Sequence, residues 1–335
     1  MNIKEVKQQV INAGRELSKS GLIARTWGNV SCRTGEDAFV ITASGRNYMT
    51  LTEEEVIEVK ISDLSYDGDV KPSSEKKVHR EIYKAIPEAN FVIHTHQSNA
   101  SAVSAMGVPE IKLDKEYAGI VDRVLCAGYG LPGTKNLCQN TAEAVKSSSG
   151  KAIIMSNHGA VCYGKDYSEA FAVAHSLEEA CGKYLMSLGV EPWKQDKGSA
   201  VQEADESADA LWNDSPIVVK FTEEEKLLKP YLDDFAQLVG TKLRVAEDRP
   251  EIIEKALAEN TPLLIKGRGA LCAAKKKSDS EALYIVIEKN CRAFFAAQAA
   301  KKNENGNVSA GKPIKAWECA LMRQIYLKKY SKLEK

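Results

Sequence analysis

Two histidines one residue apart, His94 and His96, follow the apolar run Phe91-Val92-Ile93. Side chains two positions apart in a β-strand project from the same face, so both imidazoles can reach one divalent cation. Imidazole is a common ligand of zinc and related metals. The spacing predicts a metal site at the end of a buried strand, with a pair of solvated or hydrogen-bonded strand residues as the alternative.

A third histidine, His158, follows a second buried-type strand that begins at Ala152, and Gly159 comes directly after it. Together with His94 and His96 it would form a three-histidine group with room for a carboxylate or a substrate oxygen. Such a ligand set is typical of an open catalytic zinc site and not of a closed structural one.

A proline and two serines, Pro72-Ser73-Ser74, precede Glu75 and a run with helical spacing that ends at Pro87. Serine is a favoured residue at the start of a helix, and the free N–H groups there can hold an anion. We therefore expect an anion beside the two serines and Glu75 in the first turn. His79 lies one turn further on the same helical face, where we expect a supporting role in preference to a fourth ligand.

Two glycine-containing turns adjoin short predicted strands, Gly28-Asn29 and Ser44-Gly45. Backbone N–H groups at such turns can face a bound phosphate, although most glycine turns only reverse the chain. Their spacing alone leaves both interpretations open.

The composition is that of an ordinary globular protein, with 335 residues, 44% hydrophobic and 27% charged, enough for one large or two ordinary domains. The 46 basic and 46 acidic residues balance, which gives no general attraction to nucleic acid or anionic membranes. Eight cysteines without paired spacing indicate reduced thiols, and no apolar stretch approaches the ~18 residues of a membrane span. These features predict a cytoplasmic protein with neither nucleic-acid nor membrane partners.

Five motifs occur along the chain in a fixed order: Gly28-Asn29-Val30-Ser31, Thr42-Ala43-Ser44-Gly45, Ser73-Ser74-Glu75, His94-Thr95-His96 and Asn157-His158-Gly159. With these motifs in this order, the chain resembles the class II aldolase/adducin family, which includes L-fuculose-1-phosphate aldolases and L-ribulose-5-phosphate 4-epimerases. The resemblance covers roughly residues 1–190. It implies an α/β fold with a central, mainly antiparallel sheet flanked by helices.

The resemblance also implies the composition of the site. It assigns one Zn²⁺ per subunit, with Mn²⁺ or Co²⁺ as alternatives, and implies a homotetramer. Tyr117 falls where related aldolases carry a proton donor that acts across a subunit boundary, although it could equally be an ordinary half-buried aromatic residue. The implied metal ligands are His94, His96, His158 and Glu75, and the implied phosphate-binding residues are Gly28, Asn29, Ser44, Gly45, Ser73 and Ser74.

The resemblance implies a sugar-phosphate substrate and a role in carbohydrate metabolism, but it leaves the reaction open. Glu75 after two serines is typical of the aldolases, whereas Trp27 before Gly28-Asn29 is closer to the epimerases. Because Glu75 is expected next to the metal and the reacting atoms, we give it more weight than Trp27. We therefore favour a lyase that splits a ketose 1-phosphate into dihydroxyacetone phosphate and a short aldehyde through an enediolate. The alternatives are a 4-epimerase, dehydratase or decarboxylase at the same site, and a non-catalytic adducin-like interaction module. Such a module has no need for three imidazoles that converge on a carboxylate.

The chain continues beyond the family-like part. We predict a catalytic domain in residues 1–193, an acidic linker in 194–214 and a C-terminal lobe in 215–335. Residues 263–272 align without a gap with residues 153–162, so the lobe is predicted to be a degenerate partial repeat of the same fold. Arg268 occupies the position of His158 in that alignment, and an arginine does not bind metal. We expect the lobe to lack a metal site and to pack on the catalytic part or cover a subunit face.

Overall fold

The computed structural model describes residues 2–23, 27–113, 117, 119, 120, 122–194, 202–205, 208–303 and 311–329. Residues 195–201, 206 and 207 of the predicted acidic linker lie outside the described residues. None of the helices in these ranges combines the length and the apolar character needed to cross a bilayer.

The first part of the chain forms an eight-stranded sheet. Its strands are β1 (Asn29–Arg33), β2 (Ala38–Thr42), β3 (Val56–Lys60), β4 (Phe91–Thr95), β5 (Glu110–Lys112), β6 (Arg123–Ala127), β7 (Ala152–Met155) and β8 (Gly159–Gly164). They lie in the order β3-β2-β1-β4-β8-β7-β6-β5, and β6–β7 is the one parallel pair among them. The prediction of a central, mainly antiparallel sheet is confirmed.

Helices cover both faces of this sheet: α1 (Ile3–Lys19), α2 (Lys76–Ala85), α3 (Ser98–Ser104), α4 (Lys135–Ser147) and α5 (Tyr167–Ser187). β4 lies between β1 and β8 and is buried on both faces, which accounts for its apolar run Phe91-Val92-Ile93. Phe91 and Ile93 pack in the core under α1 and α5, whereas Val92 packs in the core under α2 and α4. His94 and His96 continue the register of Val92 and therefore lie at the end of the face that carries α2.

The rest of the chain forms a second sheet with its own helices. The strands are β9 (Gln202–Asp205), β10 (Ala208–Asn213), β11 (Leu227–Leu228), β12 (Leu243–Ala246), β13 (Leu263–Ile265) and β14 (Gly269–Cys272). The helices are α6 (Pro216–Glu224), α7 (Asp233–Leu238), α8 (Pro250–Ala258), α9 (Lys277–Asn303) and α10 (Ala316–Lys328). The second half of the segment that was predicted as a linker forms the strand β10. This strand pairs with β14 and is therefore part of the sheet.

The second sheet repeats the connectivity of the first. Its order β11-β12-β13-β14-β10-β9 corresponds to β5-β6-β7-β8-β4-β1, and the parallel pair occupies the same place in both, as β12–β13 and β6–β7. The aligned turns also agree, since Asn157 and Gly267 both have positive φ angles, 59° and 68°. The structural repeat thus extends beyond the aligned residues that suggested it, while the domain boundaries stay a prediction.

The part of the chain that forms the second sheet, here called the second part, packs directly on the part that forms the first sheet. Ala105, just after α3, packs on the small residues Ala293 and Ala297 of α9, which let the helices approach closely. The backbone N–H of Gly311 donates to the carbonyl of Met106, 2.8 Å away. A methyl group at Gly311 would lie 1.8 Å from the carbonyl oxygen of Ala105, so this contact requires glycine. The predicted packing of the tail against the first part therefore takes place within one chain.

Candidate functional site

Three histidines converge at one end of the first sheet. His94 is in β4, His96 follows that strand, and His158 lies in the turn between β7 and β8. Their ligand atoms all lie within 4.8 Å of one another, and the Nε2 atoms of His94 and His96 are 3.0 Å apart. Two nitrogens bound tetrahedrally to one zinc at about 2.0–2.1 Å would lie about 3.3 Å apart, so the group can hold a metal ion.

Glycines allow the three backbone segments to approach. A methyl group at Gly28 would lie 2.7 Å from the carbonyl oxygen of His94, and its φ of +119° also favours glycine. A methyl group at Gly159 would lie 2.2 Å from the carbonyl oxygen of Thr95. The glycines next to Asn29 and His158 therefore have a packing role that their position in the motifs did not reveal.

The Nδ1 atom of each histidine faces a further polar group. His94 donates through Nδ1 to the carbonyl of Ala160, 2.9 Å away, which leaves Nε2 free to bind metal. The Nδ1 atom of His158 is 2.8 Å from the carboxylate of Asp233, and that of His96 is 3.7 Å from the carboxylate of Asp234. These two aspartates come from the second part of the chain.

Glu75 faces two of the histidines. Its Oε2 lies 3.2 Å from Nε2 of His94, and its Oε1 lies 3.1 Å from Nε2 of His158. The residue is the N-cap of α2, one position before the helix, and not part of the first turn as predicted. Its backbone N–H donates to the hydroxyl of Ser73, which fixes the start of the helix.

A buried chain of hydrogen bonds holds Glu75 from behind. The Asn29 amide donates to Glu75 Oε2 at 3.1 Å, and Asn29 Oδ1 contacts Nε2 of His79. On the other side of His79, Nδ1 lies 2.6 Å from the hydroxyl of Ser31, which is 2.7 Å from that of Tyr83. The predicted supporting role of His79 remains a proposal, and these contacts favour it because the ring is turned toward Asn29 and Ser31.

Burial and neighbouring charges set the protonation of the group. Burial lowers the pKa of His94 to about 4 and that of His96 to about 3, so both rings are neutral at pH 7. Burial opposes the charge on His158 as well, but the carboxylates of Glu75 and Asp233 raise its pKa to about 10. For Glu75, burial raises the pKa, and the fields of His94 and His158 outweigh it and hold the pKa well below the usual range. Glu75 is therefore ionised and can accept a proton.

The group lies beside a cavity of about 340 Å³. The six residues predicted to bind phosphate all line it: Gly28, Asn29, Ser44, Gly45, Ser73 and Ser74. Trp27 and the loop from Leu131 to Thr134 line it as well. The structure thus brings together four segments that are separate in the sequence, and their role in binding remains a proposal.

Part of the cavity wall comes from the second part of the chain. Gln237 lies in α7, and four residues of α10 complete this wall: Leu321, Met322, Ile325 and Tyr326. Arg268 is remote from the cavity, because it pairs with Asp248 and stacks on Trp212, 4.0 Å from the ring centroid.

Tyr117 does not line the cavity of its own chain. It is buried in the core under α5, where the Lys183 ammonium lies 5.0 Å from its ring centroid. Residues 114–116 and 118, which flank it, lie outside the described residues. Its predicted role as a proton donor involves a neighbouring subunit and stays a prediction.

The residues at the centre fit a metal ion. Nε2 of His158 makes no hydrogen bond within the described part of the chain, although Glu75 lies next to it. A divalent cation bound at this nitrogen would take the place of the proton that the two carboxylates otherwise hold there. Three imidazoles and the carboxylate of Glu75 make a donor set that suits zinc, cobalt or manganese.

The comparisons with known proteins agree with this site. A family model described as the class II aldolase and adducin N-terminal domain matches residues 8–185. The chain belongs to this family. An L-fuculose phosphate aldolase from Escherichia coli (strain K12) is 31% identical over 192 residues, which is 57% of this chain and 87% of that protein.

Two further relatives carry similar names. A 5-deoxy-D-ribulose 1-phosphate aldolase from Bacillus thuringiensis serovar kurstaki is 29% identical over 193 residues, 57% of this chain and 89% of that protein. A solved structure of an L-fuculose 1-phosphate aldolase has a TM-score of 0.52 and 26% identity, and covers 58% of this chain and 91% of its own. Asp233, Asp234 and α10 all lie beyond residue 185, where the family match ends.

Sequence reasoning missed the contributions of the second part. Asp233 and Asp234 stand between Leu232 and Phe235, and Lys289 follows Val286 and Ile287 in α9. Charged residues at apolar positions are unusual in a core unless they are paired. That signal was present in the sequence, but it does not reveal the partner.

Proposed function

We propose that this protein is a metal-dependent class II aldolase that cleaves a ketose 1-phosphate into dihydroxyacetone phosphate and a short aldehyde. The observation that carries the proposal is the convergence of His94, His96, His158 and Glu75 beside a cavity lined by serine- and glycine-containing turns. The names of the similar proteins support the same reaction class.

The three histidines would hold one divalent cation, for which we propose Zn²⁺. Such a cation acts as a Lewis acid that polarises a carbonyl group and stabilises negative charge on its oxygen. Glu75 borders the same centre and would complete the ligand set until substrate oxygens take its place.

Glu75 is the residue that would move the proton. Cleavage removes a proton from the hydroxyl of the carbon that becomes the aldehyde, and the other fragment gains a proton on carbon. An ionised carboxylate next to both reacting atoms can accept the first proton and supply the second. The hydrogen-bonded chain from Asn29 to Tyr83 keeps this carboxylate in place.

The phosphate would lie between the turns that contain Ser44, Gly45, Ser73 and Ser74. The N-terminus of the ten-residue helix α2 begins here, and its free N–H groups and dipole favour an anion. The side chain of Asn29 already bonds Glu75 and His79, so we assign it to the carboxylate and not to the phosphate.

The aldehyde end of the substrate would face the apolar side chains of α10. Leu321 and Ile325 line the cavity and are 40% and 44% exposed, so together they offer an apolar surface that a substrate can contact. Ile325→Ser is expected to lower kcat/KM for a ketose 1-phosphate that ends in a methyl group about tenfold relative to one that ends in a hydroxymethyl group. The measurement is competition between the two substrates.

A matched control for that substitution lies on the same helix. Leu327 is 48% exposed and does not line the cavity, so Leu327→Ser should leave the substrate preference unchanged. Equal preference in wild type and Ile325→Ser would show that α10 does not contact the aldehyde end.

Other reactions at the same site remain as alternatives: 4-epimerisation, dehydration or decarboxylation of a sugar phosphate. Trp27 lines the cavity. A tryptophan before Gly28-Asn29 resembles the epimerases, so this residue would favour the epimerase alternative. A non-catalytic, adducin-like interaction module is the third possibility. A homotetramer in the cytoplasm, in which Tyr117 serves a neighbouring site, also stays a proposal.

One assay separates these possibilities. The purified protein is analysed for bound metal and then incubated with a panel of ketose 1-phosphates and ribulose 5-phosphate while dihydroxyacetone phosphate is followed. We expect release from at least one ketose 1-phosphate, loss of activity on chelation and recovery on addition of Zn²⁺. A protein that contains metal but releases no dihydroxyacetone phosphate would favour one of the other reactions. A protein that binds no metal would favour the interaction module.

A further inference from the structure

Two consecutive aspartates from the second part of the chain reach two of the three histidines. Asp233 and Asp234, at the start of α7, are both fully buried. We propose that they are positioning residues of the metal site, which hold His158 and His96 with Nε2 toward the cation. The proposal rests on the proposed function only for the presence of a metal at these histidines.

The outer contacts of the three rings support this assignment. A histidine that binds metal almost always donates its other N–H to a carboxylate or a carbonyl, which fixes the ring and strengthens the ligand. His94 has such a partner inside the family-matched segment, the carbonyl of Ala160. His158 has Asp233 at 2.8 Å, and His96 has Asp234 at 3.7 Å. A part of the chain that lies outside that segment therefore holds the ring of His158 by a hydrogen bond and places a carboxylate opposite Nδ1 of His96.

The backbone around Asp233 is bound to the turn that carries His158. The N–H of Asp233 donates to the carbonyl of Asn157 at 2.9 Å, and the Asn157 amide donates to the carbonyl of Tyr231 at 2.8 Å. The carbonyl oxygen of the Asn290 side chain accepts from the N–H groups of Tyr231 and Leu232. The carboxylate is thus fixed relative to the imidazole and does not depend on a mobile side chain.

Asp234 is held by a buried lysine. Nζ of Lys289 in α9 forms an ion pair with Asp234 Oδ2 and donates to the carbonyl of His96 at 3.0 Å. One ammonium group therefore joins the carboxylate and the backbone of the residue that the carboxylate orients. This arrangement places the second part of the chain in the support of the metal site, in addition to the cavity wall.

The test is the metal affinity of full-length variants, measured with Zn²⁺ in competition with a chromophoric chelator. We expect Asp233→Asn to weaken Zn²⁺ binding 10–100-fold, because the amide keeps the shape but not the charge. Asp234→Asn should weaken it less, since 3.7 Å is beyond a normal hydrogen bond. The visible absorption of the Co²⁺ forms should change in Asp233→Asn, which reports the geometry of the ligands and not the stability of the fold.

Two controls separate positioning from folding. Asp248→Asn removes an exposed aspartate of the same part of the chain, which pairs with Arg268, and should leave the affinity unchanged. Phe221→Leu makes a cavity in the core next to α9 without contact to the histidines, and should lower Tm without weakening metal binding.

The proposal is overturned if Asp233→Asn binds Zn²⁺ as tightly as the wild type, or if Phe221→Leu weakens binding equally. A wild-type protein that binds no Zn²⁺ overturns it together with the metal site. A wild type that binds Zn²⁺ but cleaves no sugar phosphate removes only the proposed reaction, and the affinity of Asp233→Asn still decides the role of the aspartates.

Discussion

Glu75→Gln is expected to lower kcat for cleavage about 10²–10⁴-fold, the usual contribution of a positioned proton-transfer group. The carboxylate lies 3.1 Å and 3.2 Å from two histidine nitrogens and is ionised at neutral pH because its pKa lies well below the usual range. Glutamine has nearly the same shape and can still accept the hydrogen bond from Asn29, but it cannot take up a proton. The measurement is the rate of dihydroxyacetone phosphate release with saturating substrate and metal.

The three histidines remain in this variant, so it should still bind the metal. That retention distinguishes a loss of proton transfer from a loss of the cation. Glu81 offers a matched control, because it lies on the same helix and pairs with Arg80 at 2.6 Å, away from the cavity. Glu81→Gln should retain wild-type activity. A loss of less than about tenfold in Glu75→Gln would show that another group moves the proton.

Lys289→Met is expected to destabilise the fold by about 3–5 kcal/mol, because it leaves the carboxylate of Asp234 buried without its partner. Lys289 is 1% exposed and Asp234 is 0% exposed, so water cannot replace the lost ammonium. Burial raises the pKa of Asp234, but the charge of Lys289 and the contact with His96 outweigh it and hold the pKa below the usual range. The measurement is Tm of the metal-free protein, which excludes stabilisation by bound ligand.

A second substitution tests the cause. In the double variant Lys289→Met with Asp234→Asn, no charge is left unpaired, so Tm should recover part of the loss of the single variant. Lys255→Met serves as a surface control, because Lys255 is 73% exposed and only faces Glu259 at 3.9 Å. If the double variant were less stable than Lys289→Met alone, the unpaired carboxylate would not be the source of the effect.

The local chemistry of the site could be predicted from the sequence because each motif lies within one element. The alternation of side chains along a strand places His94 and His96 on one face, whatever the strand packs against. In the same way, serines before a helix and glycines in turns define local backbone shapes that do not depend on distant residues. The order of five such motifs was enough to indicate the family, which residues 8–185 match.

The contributions of the second part of the chain could not be predicted in this way. Arg268 was the residue that the repeat aligned with His158, yet it lies on the surface against Trp212 and Asp248. The residues that reach the site include Asp233 and Lys289, and the repeat gave no sign that they face the histidines. An alignment shows which residues are equivalent, but not which surfaces of two similar units face each other.

The sequence by itself thus determined the residues that can bind a metal, the sheet that carries them and the absence of histidine from residues 215–335. Only the tertiary structure decided that this second part supplies carboxylates to two of the histidines and an apolar wall to the cavity. The physical reason is that periodicity and turn preferences act over a few residues, whereas the contact between Asp233 and His158 joins positions 75 residues apart and depends on how two folded units pack.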